Sequence, residues 1–216
     1  MNVLVVGAHG NTGQQIVNLL LEEDHHVRAM IRDPQQAEEI KKMGAVPVVA
    51  DLEHDINFAV EGCDAVIFTA GSGPDTGEDK TISVDRDGAI KLIKACEENA
   101  VNRFVMLSSI GVDEPEEAPG KLQAYLKAKA DADEKLKKSN LNYTIIRPGA
   151  LNDNETTGKI TADKKLEKKE GKISRGDVAS TIVAALQNEN TYRKTFEVLS
   201  GDQPIGVALT TLDIRN

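Results

Sequence analysis

The sequence predicts a doubly wound α/β fold: a mostly parallel sheet of about seven strands, covered on both faces by helices to make three layers. Three observations carry that expectation. Short aliphatic runs alternate with segments of helical periodicity along most of the chain. The apolar residues, 40% of 216, are drawn from Val, Ile, Leu and Ala far more than from aromatics, with four Phe, three Tyr and no Trp. That composition suits strands buried on both faces. A glycine-rich turn also follows the first run directly, as a tight strand-to-helix connection requires.

The elements follow in order. Asn2–Val6 is a continuous run of β-branched and Leu residues and reads as the first strand. The chain turns through Gly7–Gly13, and Ile16, Val17, Leu19 and Leu20 come at helical spacing. His26–Ile31 is the second strand, Pro34 and Gly44 bracket a helix, and Ala45–Val49 is the third strand. Asp64–Thr69 reads as the fourth strand, Asp79–Asn99 as a long helix, Arg103–Leu107 as the fifth strand, Lys121–Lys138 as a second long helix and Tyr143–Ile146 as the sixth strand. After Pro148 the style changes. Leu151–Lys172 holds few apolar residues, and its charged tract Lys164–Glu170 is expected to be a solvated helix face or loop. Ser174 then opens a helix with Val178, Ile182, Val183 and Leu186 on one side, Thr195–Leu199 is the seventh strand, and a short helix begins near Pro204.

Charge excludes several classes. With 26 Lys+Arg against 35 Asp+Glu, the net charge of −9 would repel a phosphate backbone, and no basic stripe interleaved with aromatics appears. Nucleic acid is therefore not an expected partner. The opening apolar run lacks a preceding basic segment, and no window approaches the ~18 apolar residues of a membrane span. A cytoplasmic protein without membrane contact is expected. Cys63 and Cys96 lie in no CxxC or His-paired pattern and read as reduced, structural thiols. His25 and His26 beside Glu22, Glu23 and Asp24 are better explained as a charged helix end than as metal ligands, so no metal site is expected.

In Gly7-Ala8-His9-Gly10-Asn11-Thr12-Gly13 a glycine falls at every third position between strand and helix. Without Cβ atoms the loop can bring N–H groups and a helix N-terminus against a pyrophosphate. The spacing is GxxGxxG rather than GxGxxG, and no Gly-Lys-Ser/Thr follows, which excludes a Walker-type loop. Gly7, Gly10, Asn11, Thr12 and Gly13 are the candidate dinucleotide contacts. Nineteen residues after Gly13, Arg32 stands near the place where an acidic residue would take a ribose 2′-hydroxyl. Its planar fork suits a 2′-phosphate, which favours NADP over NAD; Asp33, next in sequence, is the competing residue. Asp51 and Leu52, at the end of strand three, are placed to meet the adenine. Ala70 and Gly71, in the Ala70-Gly71-Ser72-Gly73 turn after strand four, would pass close to the ribose.

Tyr125 and Lys129 lie one turn apart on the helix after strand five. A neighbouring ammonium favours a phenolate and is expected to lower the Tyr pKa, so the pair can move a proton. Strand five ends in Ser108-Ser109, whose hydroxyls could bond a carbonyl or alcohol oxygen. On many helices such a Tyr/Lys spacing arises by chance; downstream of a dinucleotide loop and two strand-end serines it points to chemistry.

These motifs, with Arg147-Pro148-Gly149 and Ile173-Ser174-Arg175-Gly176-Asp177-Val178-Ala179, make the chain resemble an atypical short-chain dehydrogenase/reductase, of the compact NAD(P)-binding and epimerase/dehydratase-like group. The resemblance covers essentially the whole chain. It implies a single Rossmann domain over residues 1–216, with a small substrate-side region at about 150–175. It further implies that Tyr125 is the acid/base, that Lys129 also holds the nicotinamide ribose, that Ser109, or less readily Ser108, orients the substrate, and that Pro148 and Gly149 shape the nicotinamide pocket. Only about 65 residues follow Gly149, little protein to hold a sugar nucleotide. The expected function is an NADP-dependent oxidoreductase acting on a small carbonyl or alcohol. The alternatives are a non-catalytic NAD(P)-binding redox sensor and an NAD-dependent sugar-nucleotide epimerase/dehydratase. Gly71–Gly77 and Asn152–Gly158 are the expected cleft covers, and the acidic loop Asp113–Gly120 could border the substrate mouth and disfavour anions. The exposed faces of the two long helices could pair two subunits into a homodimer.

Overall fold

In the first aliphatic run, alternate side chains enter two different cores. In β1 (Asn2–Val6), Val3 and Val5 join one core and Leu4 and Val6 the other. The computed structural model describes residues 1–73, 77–167 and 170–213. It continues with α1 (Asn11–Glu22), β2 (His26–Ile31), α2 (Ala37–Met43), β3 (Val46–Val49), a short α3 (Asn57–Val60) and β4 (Ala65–Phe68). Next come α4 (Glu78–Lys80), a π-helical segment (Thr81–Gly88) and α5 (Ala89–Glu98), followed by β5 (Arg103–Leu107), α6 (Gly120–Lys137) and β6 (Asn142–Pro148). The remainder is β7 (Ala150–Asn152), β8 (Lys159–Asp163), β9 (Lys172–Ser174), α7 (Arg175–Leu186), β10 (Lys194–Ser200), β11 (Gln203–Pro204) and α8 (Ile205–Thr210).

The seven expected strands form one parallel array in the order β3-β2-β1-β4-β5-β6-β10. The sheet is larger than expected, with nine strands among the described residues: β8 runs antiparallel to β10, and β11 antiparallel to β8. Both additions lie where Leu151–Lys172 and the chain end gave no strong periodic signal. β8 turns only Ile160 and Ala162 fully inward, alternating with Lys159, Thr161 and Asp163. β11 is two residues long and carries Pro204 at the sheet edge, where a missing N–H costs no ladder bond. β7 and β9, three residues each, pair in a separate parallel ribbon. One face of the sheet is covered by α1, α7 and α8 through Ile16, Val17, Leu20, Val178, Ile182 and Leu209; the other by α5 and α6 through Leu92, Ile93, Cys96, Ala132 and Leu136.

Two further expectations are revised. Asp79–Asn99 is not a uniform α-helix, because the π-helical segment interrupts it. In the charged tract, Lys164–Glu167 is a loop, one of the two forms expected, but it is not wholly solvated: Leu166 is buried and its N–H donates to the buried Glu197 carboxylate at 2.8 Å. Residues 168 and 169 lie outside the described residues, as do 74–76 of the expected Gly71–Gly77 cover. The crossover from β3 to β4, on the far side of β1, makes a topological switch point. Loops after β1 and β4 leave in opposite directions there, opening a crevice at the carboxyl ends of the strands.

Candidate functional site

The crevice is a cleft of about 600 Å³ lined by Gly7, Gly10, Arg32, Asp51, Leu52, Ala70 and Gly71, among others. Its floor depends on missing Cβ atoms. Gly7 has φ of 88°, and a Cβ there would stand 2.7 Å from the Ala70 nitrogen; a Cβ on Gly13 would stand 2.1 Å from the Gly7 oxygen. The loop after β1, the loop after β4 and the first turn of α1 therefore touch backbone to backbone. Gly10 caps α1 without a side-chain acceptor, and no acidic residue sits in the first turn. The first-turn N–H groups and the positive end of the helix dipole thus remain uncompensated, as an anion site requires. Asn11 is exposed at this end, while Thr12 and Gly13 are buried behind it.

At the other end of the cleft the two rivals for the ribose differ. The Asp33 carboxylate accepts the Gln35 N–H at 2.9 Å and caps a 3-10 turn, Pro34–Gln36. Arg32 is exposed and makes no hydrogen bond or ion pair among the described residues. His9 is paired with Glu39 at 3.0 Å. Asp51 accepts the Glu53 N–H at 2.9 Å, and buried Leu52 gives its carbonyl to Lys91 at 2.6 Å.

The second group of expected residues adjoins the cleft through Lys129. Its ammonium is 3% exposed and lies 3.4 Å from the Ala70 oxygen, 3.3 Å from the Leu107 oxygen and 3.3 Å from Asp85 Oδ1. The same nitrogen sits 5.7 Å from the centre of the Tyr125 ring and 5.3 Å from that of Phe68. Tyr125 is half-buried, and its hydroxyl makes no hydrogen bond among the described residues. The loop after β5 is held beside it: Gly111 adopts φ of 94°, and a Cβ there would meet Leu126 at 3.2 Å. Ser109 is half-buried and donates to the Ile110 carbonyl at 3.0 Å, while the Ile110 N–H donates to Pro148 at 2.9 Å, which brings the serine strand end and Pro148-Gly149 together. Gly149 is crowded by Leu199 and Gly171, which its own missing Cβ permits.

Ser108 is committed elsewhere. Its hydroxyl donates to Asp133 at 3.0 Å, and the same carboxylate oxygen takes Arg147 Nε at 2.9 Å. Arg147 reaches on to Asp113 at 2.9 Å. The acidic loop is largely neutralised in this way, since Glu114 pairs with Lys165 and Glu116 with Lys127. It presents less free negative charge to a ligand than its composition implies.

The expected acidification of Tyr125 is reversed. Burial raises the phenol pKa, and Asp85 and Asp133 add to that rise; Lys129 pulls the other way and is outweighed. Burial by itself would push the Lys129 ammonium down, but Tyr125, Asp85 and Asp133 hold it above its ordinary value. Asp133 is raised by burial against the pull of Arg147 and Ser108. Two acids thus sit beneath the pair. Their signal was present in the sequence: Asp85 falls in helical phase with Ala89, Leu92 and Cys96, a carboxylate on an apolar face, and Asp133 falls in phase with Tyr125 and Lys129.

The stretch Asn152–Gly158, expected as a cleft cover, is anchored to the start of α7 and supplies none of the residues lining the cleft. Asp177, 1% exposed, accepts the N–H groups of Thr157 and Gly158 at 3.0 and 2.7 Å and the Ser174 hydroxyl at 2.8 Å, while Ser174 caps α7 by accepting the Asp177 N–H. Arg175 pairs with Asp153 at 2.7 Å. The motif Ser174-Arg175-Gly176-Asp177 is a helix cap that also ties down the loop.

A family profile described as NAD(P)H-binding matches residues 7–189. The Bacillus subtilis protein YhfK, named an uncharacterized sugar epimerase, is 44% identical over 98% of this chain and 100% of its own length. A solved protein from Bacillus halodurans, assigned provisionally by its name to NAD-dependent epimerases/dehydratases, is 44% identical with a TM-score of 0.95, covering 98% of this chain and 100% of that one. The Lactococcus lactis oxidoreductase ylbE is 32% identical with a TM-score of 0.88, covering 100% of this chain and 98% of that one.

Proposed function

The chain belongs to the NAD(P)H-binding family, and from that premise we propose that it is an NADP-dependent oxidoreductase acting on a small carbonyl compound or the corresponding alcohol. One observation supports the reading: Lys129, in contact with Tyr125, also touches Ala70 of the cleft-lining loop, so the Tyr/Lys pair and the glycine-lined cleft share a wall.

The cleft fits the cofactor by its uncapped helix, its cradle of missing Cβ atoms and an uncommitted guanidinium. Gly7, Gly10, Asn11, Thr12 and Gly13 would hold the pyrophosphate and Arg32 the 2′-phosphate. Asp51 and Leu52 would meet the adenine, Ala70 and Gly71 a ribose, Lys129 the second ribose, and Pro148 and Gly149 the nicotinamide. When bound, the nicotinamide supplies or accepts a hydride. Tyr125 gives a proton to the substrate oxygen in reduction and takes one back in oxidation. Its raised pKa keeps the phenol protonated at neutral pH, the form needed to donate. Ser109, bonded only to its neighbour's carbonyl, is the hydroxyl able to turn toward that oxygen; Ser108 is spent on Asp133. The substrate side is built from residues of about 150–175, a small lobe that suits a small substrate.

The test pairs two measurements. Tyr125→Phe should bind NADPH with near-unchanged affinity and lose about 100-fold or more in NADPH oxidation with a panel of small aldehydes and ketones. Unchanged turnover in the variant refutes the assignment, and NADPH binding with no turnover across the panel for the unaltered protein favours a sensor. The name of the Bacillus subtilis relative favours a second reading, sugar-nucleotide epimerisation, which predicts tightly held NAD in the purified protein.

A further inference from the structure

Asp85 is the fully buried acid of the π-helical segment, a helix form that is rare and concentrates at functional sites. Its Oδ2 accepts the Ser72 N–H at 3.0 Å. Among the described residues its Oδ1 has no hydrogen-bond partner, yet it stands 3.3 Å from Lys129 Nζ, and a Cβ on Gly71 would approach the same oxygen to 3.3 Å. A carboxylate buried this deeply is tolerated only when paired. Here the pairing joins two parts of the site that no sequence motif connects: the loop after β4 and the lysine of α6.

We infer that Asp85 is a positioning residue, its carboxylate pinning the Lys129 ammonium to the Ala70–Ser72 loop and setting the charge balance beneath Tyr125. Without it, Lys129 keeps only long bonds to the Ala70 and Leu107 carbonyls and the faces of two rings. The charged groups acting on Tyr125 are Lys129 and Asp133 from its own helix and Asp85 from the π-helical segment. Among the described residues, β4, β5 and their loops bring the Phe68 ring and two backbone carbonyls to the lysine. Neutralising Asp85 therefore removes an anion while the cation stays, and the phenol becomes more acidic. The importance of this device for catalysis rests on the hydride-transfer reading; the pairing itself does not.

The experiment uses the full chain without cofactor. Phenolate absorbance is titrated in the unaltered protein and in Asp85→Asn, with Tyr125→Phe subtracted to remove Tyr143 and Tyr192. The Tyr125 midpoint is expected to fall by about one pH unit in Asp85→Asn. Asp85→Ser serves as a second neutral variant with the same expected fall, and Asp85→Glu, which restores the charge, should return the midpoint toward its original position. A midpoint unmoved in a folded neutral variant, or moved as far by Glu as by Asn, overturns the inference. Turnover separates the two readings. A shifted midpoint in a protein that reduces no carbonyl leaves Asp85 in its role and removes the proposed reaction; an unmoved midpoint in an active enzyme does the reverse.

Discussion

Arg32→Ala isolates the cofactor preference from everything else in the cleft. The guanidinium is exposed and engages no group among the described residues, so its removal should leave thermal stability unchanged. A hydrogen bond between charged groups is worth about 1.5–3 kcal/mol. Because the position is open to solvent, one such figure rather than two is appropriate, and NADPH should bind roughly 10- to 100-fold more weakly. NADH has no 2′-phosphate and should be unaffected. Asp33 cannot readily compensate, since its carboxylate already caps the turn at Gln35. The assay is a fluorescence titration of both reduced cofactors at one fixed ionic strength, because an exposed phosphate–guanidinium pair is screened by salt. Equal losses for NADPH and NADH, or no loss for NADPH, would refute the placement of the 2′-phosphate at Arg32.

Gly13→Ala tests the backbone contact under the pyrophosphate. The new methyl would stand 2.1 Å from the Gly7 oxygen and 2.9 Å from its carbon, atoms that cannot swing aside as a side chain would, and Gly7 is itself held against Ala70. A stability loss of about 1–3 kcal/mol by thermal denaturation and loss of detectable dinucleotide binding are expected; a variant that binds normally would show that the loop is slack. Asp177→Ala strips the anchor from the 153–158 loop, orphaning the N–H groups of Thr157 and Gly158. It should cost about 2–4 kcal/mol in chemical denaturation and open residues 153–158 to limited proteolysis, and unchanged cutting there would count against the clamp.

The reversal at Tyr125 shows where motif reasoning needed depth information. A Tyr and a Lys one turn apart predict an acidified phenol when both stand in water-like surroundings. Once α6 is pressed onto the π-helical segment, burial acts on the phenol directly, and Asp85 and Asp133 offset the lysine. The pair then resembles a proton donor held in its neutral form more than a phenolate base. The family resemblance alone ranks Ser109 above Ser108, its neighbour just past β5. The pleat sends one hydroxyl inward to Asp133 and leaves the other beside the loop after β5.

The sequence by itself determined the alternating strands and helices, the seven-strand parallel array and the glycine turn after β1, because these rest on local periodicity and on backbone angles that few residues adopt. It also marked Arg32 by its spacing from the glycine turn, and the Tyr125–Lys129 pair by its spacing together with that turn and the two serines upstream. Tertiary structure decided the rest. Short strands such as β8 and β11 exist only because a neighbouring strand offers hydrogen bonds that their own residues do not call for. Which carboxylate faces Lys129 and which serine is free depend on contacts between segments tens of residues apart, where burial and pairing, rather than local propensity, set the free energy.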